Sequence, residues 1–128
     1  GTGDTQLTFS QEIKMDGAII VSTPQEVALL DVKRGIKMFD KLGVKIIGLV
    51  DNMSFFIGDD GKKYKIFGEG GVKKTAEEFK KEFLGEIPIN SEVGNSGDKG
   101  KPIVESNPNH EISKIYLDFA NEIKSAYL

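Results

Sequence analysis

The sequence predicts an α/β protein built on a parallel sheet flanked by helices, and three features carry this prediction. Two apolar runs rich in β-branched residues, 18–21 and 44–50, are typical of parallel strands that are covered on both faces. The segment between them has helical periodicity, so the three together form a βαβ unit with a right-handed crossover. A turn signal between two β-prone arms, within residues 55–67, adds a small β-hairpin.

The helix between the two strands is signalled at both ends. It is predicted to begin at a capping box over residues 23–26 (TPQE), in which Thr23 is the cap and proline takes the first helical position. Apolar residues then recur at helical spacing: Leu29, Val32, Ile36 and Phe39. Gly43 follows them and is the kind of residue at which a helix stops.

The residues after the second strand predict a hairpin, a helix and a short third strand. The sequence GDDG at 58–61 is the hairpin turn. A helix is predicted over 72–82, and a short strand over 84–87 ends at Pro88. The stripe on that helix consists of Val72, Ala76, Phe79 and Phe83.

The end of the chain is predicted to be a loop followed by one helix. Residues 89–101 contain three glycines and few apolar side chains, which is typical of a loop. The last helix is predicted to begin near Asn107-Pro108, with asparagine as its cap. Its apolar residues are Ile112, Ile115, Phe119 and Ile123. His110 falls in the first turn, where a surface position is expected.

Composition excludes several classes of protein. The chain has 128 residues, a net charge of −3 and no cysteine. These values predict one domain without disulfides, thiolate zinc sites or a self-ligated iron–sulfur cluster. The charge gives no reason to expect nucleic-acid or membrane partners. No apolar run is long enough to span a bilayer, and the first residues do not have the pattern of a signal peptide, so a cytoplasmic location is predicted.

Residues 1–128 are predicted to form a single α/β unit that is the later portion of a longer protein. The chain opens with Gly-Thr-Gly-Asp and reaches its first strand only near residue 18. Three short strands would also make a small open parallel sheet.

Two motifs invite a functional interpretation that a simpler one explains better. Residues 68–75 (GEGGVKKT) resemble a phosphate loop, but Lys73 stands where the last glycine is needed, so a glycine-rich entry into an ordinary helix is favoured. Asp59 and Asp60 have the chemistry of hard-metal ligands. Their place in a hairpin turn beside two lysines favours a solvated tip, and no metal site is predicted.

Asp51-Asn52 is the candidate site that position supports. The pair lies at the carboxyl end of a strand, where open α/β sheets place their ligands. An asparagine amide presents a donor and an acceptor side by side, which suits the edge of a purine base. A turn-forming asparagine at the strand end is the alternative, and position alone leaves both open.

Several strings, taken in order, resemble the Mrp/ApbC family of iron–sulfur cluster carriers, a ParA/MinD-like branch of the P-loop NTPases. The matching strings are Gly1 to Asp4 (GTGD), 17–30 (GAIIVSTPQEVALL), 51–56 (DNMSFF), 67–68 with 70–71, 84–88 (LGEIP) and 100–104 (GKPIV). The resemblance implies the three-layer, Rossmann-like P-loop NTPase fold, of which this chain would be the C-terminal part.

The resemblance also implies roles for individual residues. Gly1 matches the switch glycine whose backbone N–H approaches the γ-phosphate of ATP, and Thr2 and Asp4 lie in the same switch segment. Asn52 matches the residue that reads the base, and Pro88 begins the stretch that flanks the adenine. The family binds ATP with magnesium, and the parent chain would be an ATPase. None of these 128 residues is expected to be catalytic, because the phosphate-binding lysine belongs to preceding sequence.

The function implied is that of a homodimeric, ATP-dependent carrier that passes iron–sulfur clusters to acceptor apoproteins. Many members hold the cluster on a CxxC pair shortly after the Asn-Met-Ser segment, but here that place is taken by 58–61. Carboxylates are hard ligands and do not replace four thiolates, so ligation would fall to a partner or to another segment. The alternative is a ParA/MinD-like scaffold or partitioning module without a cluster.

Overall fold

The computed structural model describes residues 4–127. In that part of the chain the strands are β1 (Ala18–Ser22), β2 (Ile46–Asn52), β3 (Phe56–Ile57), β4 (Lys63–Tyr64) and β5 (Phe83–Ile87). The helices are α1 (Asp4–Glu12), α2 (Glu26–Leu42), α3 (Gly71–Glu78), α4 (Ser91–Asp98), α5 (Ile103–Ser106) and α6 (Glu111–Tyr127).

A three-stranded parallel sheet with the order β1-β2-β5 forms the centre of the fold. Helices α2 and α3 pack on one face and α5 and α6 on the other, so two apolar cores lie on opposite sides of β2. The first core contains Val32, Ile36, Ile46, Leu49, Val72 and Ala76. The second contains Val50, Ile87, Ile103 and Ile112. The predicted α/β class, the βαβ unit and the apolar stripes are therefore confirmed.

Strand β1 differs from its prediction, because only one of its faces is covered within residues 4–127. Ile20 packs against the first core, whereas Ile19 is 40% exposed and Val21 is 58% exposed. The second core is built from β2, β5, α5 and α6 and does not extend over β1.

Helix α2 ends as predicted but begins differently. It starts at Glu26 after Gln25, which makes no side-chain capping bond, so the predicted capping box is wrong. The Thr23 hydroxyl donates to the Gln25 side-chain oxygen instead, at 3.1 Å. At the other end Gly43 has a φ of 71°, and the pattern of backbone bonds around it is that of a Schellman motif.

The predicted hairpin forms from β3 and β4. Its turn is fixed by Asp60, which accepts hydrogen bonds from the Lys62 N–H, at 2.9 Å, and from the Tyr64 hydroxyl. The Tyr64 bond lowers the pKa of Asp60 and raises that of Tyr64. Both Asp59 and Asp60 are exposed, so the prediction of a solvated tip is confirmed.

Helix α3 is shorter than predicted, because the chain leaves the helix before residue 82. Lys80 adopts a positive φ of 56°. The N–H groups of Lys80 and Lys81 bond back to the carbonyls of Glu77 and Ala76 in a Schellman pattern. A lysine therefore occupies the position that usually carries glycine, and the sequence contains no stop signal there.

Three predictions for residues 89–110 are wrong. The predicted loop contains α4, which Asn90 caps by accepting from the Glu92 N–H at 2.9 Å. The last helix, α6, begins at Glu111, and Asn107 instead ends α5. His110 precedes α6, and its Nδ1 accepts the Ile112 N–H at 3.1 Å. Its side chain is mostly buried, with Nε2 3.4 Å from Glu92, so the expected surface position is also wrong.

No helix within residues 4–127 is both long and apolar enough to cross a membrane.

Candidate functional site

The carboxyl ends of the parallel strands bring polar residues together at one edge of the sheet. Ser22 at the end of β1 is the register partner of Asp51 on β2, and Asn52 is the partner of Ile87 on β5. Ligands of open α/β sheets bind at this edge because the loops that leave the strands can surround them there. The structure therefore places Asn52 next to the segment that begins at Pro88.

Asn52 begins a tight turn that is tied to the end of β5. Its side-chain oxygen accepts the Met53 N–H at 3.0 Å, and Met53 has a positive φ of 53°. The Ser54 N–H donates to the Ile87 carbonyl at 3.0 Å, and the Ile89 N–H donates to the Phe55 carbonyl at 2.7 Å. These bonds hold the turn on both sides of Pro88.

The turn-forming interpretation of Asn52 is thus correct and compatible with base recognition. The carboxamide oxygen keeps a second lone pair, and the NH₂ group has two donors. The side chain is partly exposed at the sheet edge. It can therefore pair with the edge of a purine while it supports its own turn.

Asp51, the preceding residue, is 2% exposed and is the buried acid of this edge. Burial is the main cause that raises its pKa, and the nearby Glu86 raises it further. A hydrogen bond from the Ser54 side chain and the charge of Lys65 act in the opposite direction. Oδ1 of Asp51 has no hydrogen-bond partner among the described residues. Within the described residues, the carboxyl group therefore uses only part of its capacity to accept hydrogen bonds.

The sequence pattern gives Asp51 no role distinct from that of Asn52. The available signal was an acid that directly follows an apolar β-strand, at 44–50, in a sheet expected to be covered on both faces. Lys65 and Glu86 were not identified because they come from distant parts of the chain. The two form an ion pair of 3.8 Å beside Asp51, between the hairpin and β5.

Two of the three glycines in residues 68–75 allow close packing. Gly68 has a φ of 129°, and a Cβ there would lie 2.9 Å from the backbone oxygen of Pro24. A Cβ at Gly71 would lie 2.5 Å from a Leu29 methyl group. The segment therefore enters α3 in close contact with the start of α2, in agreement with the ordinary-helix interpretation.

The other predicted site residues are distributed as follows. Gly1 and Thr2 lie outside the described residues. Asp4 is the exposed first residue of α1, a helix that packs against α2. Pro88 is partly buried directly after β5. Among the predicted site residues, only Asn52 and Pro88 are brought together by the contacts of the described residues.

Two cavities lie along the sheet, and Asn52 lines neither of them. One of about 590 Å³ is at the amino-terminal edge of the sheet, among residues such as Lys45, Lys81 and Tyr127. Another of about 400 Å³ runs along β1 and reaches Ser22 and Thr23. The first is at the opposite end of the strands from Asn52 and is not part of the same site.

The residues present do not fit an iron–sulfur cluster. The chain has no cysteine, and residues 4–127 contain no group of three or more His, Cys, Asp or Glu side chains arranged to hold a metal ion. Residues 58–61 take the place of the cysteine pair of other family members. They form a hairpin turn that is closed by the hydrogen bonds of Asp60.

The sequence model of the ParA group described as "NUBPL iron-transfer P-loop NTPase" matches residues 1–124. The chain belongs to this family. Its relatives include the iron-sulfur cluster carrier protein of Aquifex aeolicus, 45% identical over 94% of this chain and 33% of the relative. Another is the mitochondrial iron-sulfur protein required for NADH dehydrogenase of Arabidopsis thaliana, 46% identical over 96% of this chain and 40% of the relative. The chain thus spans between a third and two fifths of their length.

Solved structures agree with the fold of this P-loop NTPase. A nucleotide-binding protein from Archaeoglobus fulgidus, in complex with ADP, is 40% identical with a TM-score of 0.69 over 79% of this chain and 42% of that one. The MinD cell division protein of Aquifex aeolicus has a TM-score of 0.71 over 95% of this chain and 48% of its own, at 21% identity, and supports the fold alone. The predicted P-loop NTPase fold and the resemblance to iron–sulfur cluster carriers are therefore confirmed.

Proposed function

We propose that these residues form the base-recognition side of the nucleotide site in an ATP-dependent iron–sulfur cluster carrier. The observation that carries the proposal is the Asn52 turn, which the Ser54–Ile87 bond of 3.0 Å holds beside Pro88 at the carboxyl edge of the sheet. A relative of 40% identity is described in complex with ADP. In this assignment Asn52 reads the base and Pro88 flanks it.

The phosphates and magnesium would be held by sequence outside these residues. The lysine-containing segment 68–75 packs closely against the start of α2 through Gly68 and Gly71. Gly1, Thr2 and Asp4 would contribute the switch that senses the γ-phosphate. These 128 residues would therefore supply base recognition to an ATPase whose hydrolytic groups lie elsewhere in the protein.

The cluster would be cargo that a partner or another segment ligates, since this chain has no cysteine. Transfer to acceptor apoproteins by a homodimer is proposed from the family, as is a cytoplasmic location. The alternative of a cluster-free scaffold is not favoured, because the family and the named relatives are iron-transfer proteins.

Asn52→Ala in the complete gene product tests the proposal. Loss of one neutral hydrogen-bonding group is expected to reduce the discrimination between ADP and GDP about fivefold, with a smaller change in the affinity for inorganic triphosphate. Isothermal titration with ADP and GDP measures the ratio of dissociation constants. Asn121→Ala, which removes an exposed amide on α6, is the matched control. An unchanged ratio for Asn52→Ala would remove this residue from the site.

The 128 residues alone are expected to bind Mg-ATP weakly. Without the phosphate cradle most of the electrostatic attraction for the triphosphate is missing, so saturation below about 1 mM is not expected. Titration calorimetry of the isolated polypeptide, with the complete gene product as the reference, measures this. Micromolar binding by the isolated polypeptide would contradict the placement of the phosphate site in other sequence.

A further inference from the structure

The amino end of α6 is held by the imidazole of His110. The His110 carbonyl accepts the Lys114 N–H at 3.1 Å, as the carbonyl of a capping residue does, and its Nδ1 accepts the Ile112 N–H at 3.1 Å. This is the geometry of a helix cap, with a ring nitrogen in the place of the usual side-chain oxygen. A nitrogen that accepts a hydrogen bond needs a free lone pair, so this contact requires a neutral ring with its proton on Nε2.

The other ring nitrogen of His110 faces an acid on a different helix. Nε2 lies 3.4 Å from Oε2 of Glu92, which is in the first turn of α4. The imidazole is mostly buried, whereas the Glu92 side chain is 53% exposed. His110 therefore connects the start of α6 with the start of α4, the helix that follows the Pro88 stretch.

These two contacts respond in opposite directions to a proton. Protonation of Nδ1 turns the acceptor into a donor, so the Ile112 N–H loses its partner. The positive charge also meets the amino end of a helix, where the helix dipole disfavours cations. The same charge strengthens the attraction of Glu92. Histidine ordinarily changes its charge between about pH 5 and about pH 8, so both contacts can change in that range.

Glu92 is the charged partner of this ring within residues 4–127. The other charged residues of α4, of α5 and of the first turn of α6 are all exposed: Asp98, Glu105, Glu111 and Lys114. In the described part of the chain no ion pair joins any of them to His110. Solvent screens their charges, so the cap and Glu92 set the response of the imidazole to a proton.

We infer that His110 is a pH-sensitive switch between α4 and α6: the neutral imidazole caps α6, and the protonated imidazole gives up the cap and pairs with Glu92. Protonation thereby loosens the first turn of α6, which carries Ile112 of the second core. The inference goes beyond the proposed function and does not depend on where the nucleotide binds.

The tautomer of His110 is the first test. Nitrogen NMR of the complete gene product, isotope-labelled in its histidines, detects the protonation of each ring nitrogen, and the loss of signals in His110→Asn assigns this residue. At about pH 8 we expect a proton on Nε2 and none on Nδ1. A proton on Nδ1 at that pH would overturn the inference, because that nitrogen could not accept the Ile112 N–H.

Urea unfolding at about pH 8 and at about pH 5 is the second test, on the natural protein, Glu92→Gln, His110→Asn and the double variant. Asparagine is a strong helix cap that does not titrate, so it is the matched substitution. The unfolding constant of Glu92→Gln, divided by that of the double variant, is expected to rise about fivefold at the lower pH, as for the loss of one cap. A ratio that does not change with pH would overturn the inference.

The pairing with Glu92 has its own outcome in the same series. Glu92→Gln is expected to raise the unfolding constant of the natural protein more at about pH 5 than at about pH 8, and that of His110→Asn by the same factor at both. Equal effects on the natural protein at the two pH values would contradict the switch. If His110→Asn fails to fold, His110→Ala replaces it. In the Glu92→Gln protein it should raise the unfolding constant about fivefold at about pH 8 and have little effect at about pH 5.

Discussion

Leu49→Ala is expected to lower the free energy of unfolding by about 3 kcal/mol, within the roughly 2–5 kcal/mol known for truncations of buried leucine. Leu49 lies on the central strand and is 0% exposed. It belongs to the core that α2 and α3 form with the sheet. A cavity there is bounded by a strand that is hydrogen-bonded on both sides, so the surroundings cannot easily collapse into it.

Urea unfolding of the complete gene product, followed by circular dichroism, measures this change. Leu117→Ala is the matched control, because Leu117 on α6 is 43% exposed and its truncation should cost less than about 0.5 kcal/mol. Equal effects of the two substitutions would show that the α2–α3 core does not stabilise the fold as described.

Asp51→Asn is expected to raise the free energy of unfolding at pH 7 by an amount on the order of 1 kcal/mol, because it removes a carboxyl group whose ionisation is opposed by burial. Because burial raises the pKa of Asp51, the folded protein holds its proton more tightly than the unfolded chain does. Folding is therefore opposed by ionisation of this group. Asparagine does not ionise, so the variant does not lose stability in this way.

The sign of the pH dependence follows from the same shift. Below the ordinary pKa of Asp51 both states are protonated, so the variant should have little advantage there. As the pH rises from the ordinary value through the raised pKa, the natural protein loses stability and the advantage of the variant grows to a plateau. Urea unfolding at a series of pH values between about pH 3 and about pH 8 measures this. An advantage that shrinks as the pH rises would contradict the buried, partly unsatisfied carboxyl group.

The sequence pattern correctly predicted the elements that depend on residues close together in the chain. The stripe of α2 follows from the helical period, and Gly43 ends that helix because glycine readily adopts the left-handed conformation. The turn at 58–61 forms where Asp-Gly favours a hairpin. The carboxyl end of β2 was likewise recognisable from its apolar run, and this placed Asn52 at a strand end.

The errors arose at the ends of helices and where a helix depends on packing for its stability. Helix α4 forms despite two internal glycines, Gly94 and Gly97, and its Val93 packs against the second core. Lys80 ends α3 in a backbone conformation that no sequence signal announces. The start of α6 is capped by the imidazole of His110, which is also close to Glu92 on α4. For α4, the packing of Val93 against the second core outweighs the weak helical preference of its glycines.

The sequence by itself determined the βαβ unit, the placement of an asparagine at the end of its second strand and the absence of thiolate ligands, because these follow from residue type and short-range spacing. The tertiary structure alone decided that Asn52 lies beside Ile87 and Pro88, and that Asp51 is buried near Glu86 and Lys65. Strand order brings together residues more than thirty positions apart. Burial then changes the chemistry of a carboxyl group that would be an ordinary surface acid in water.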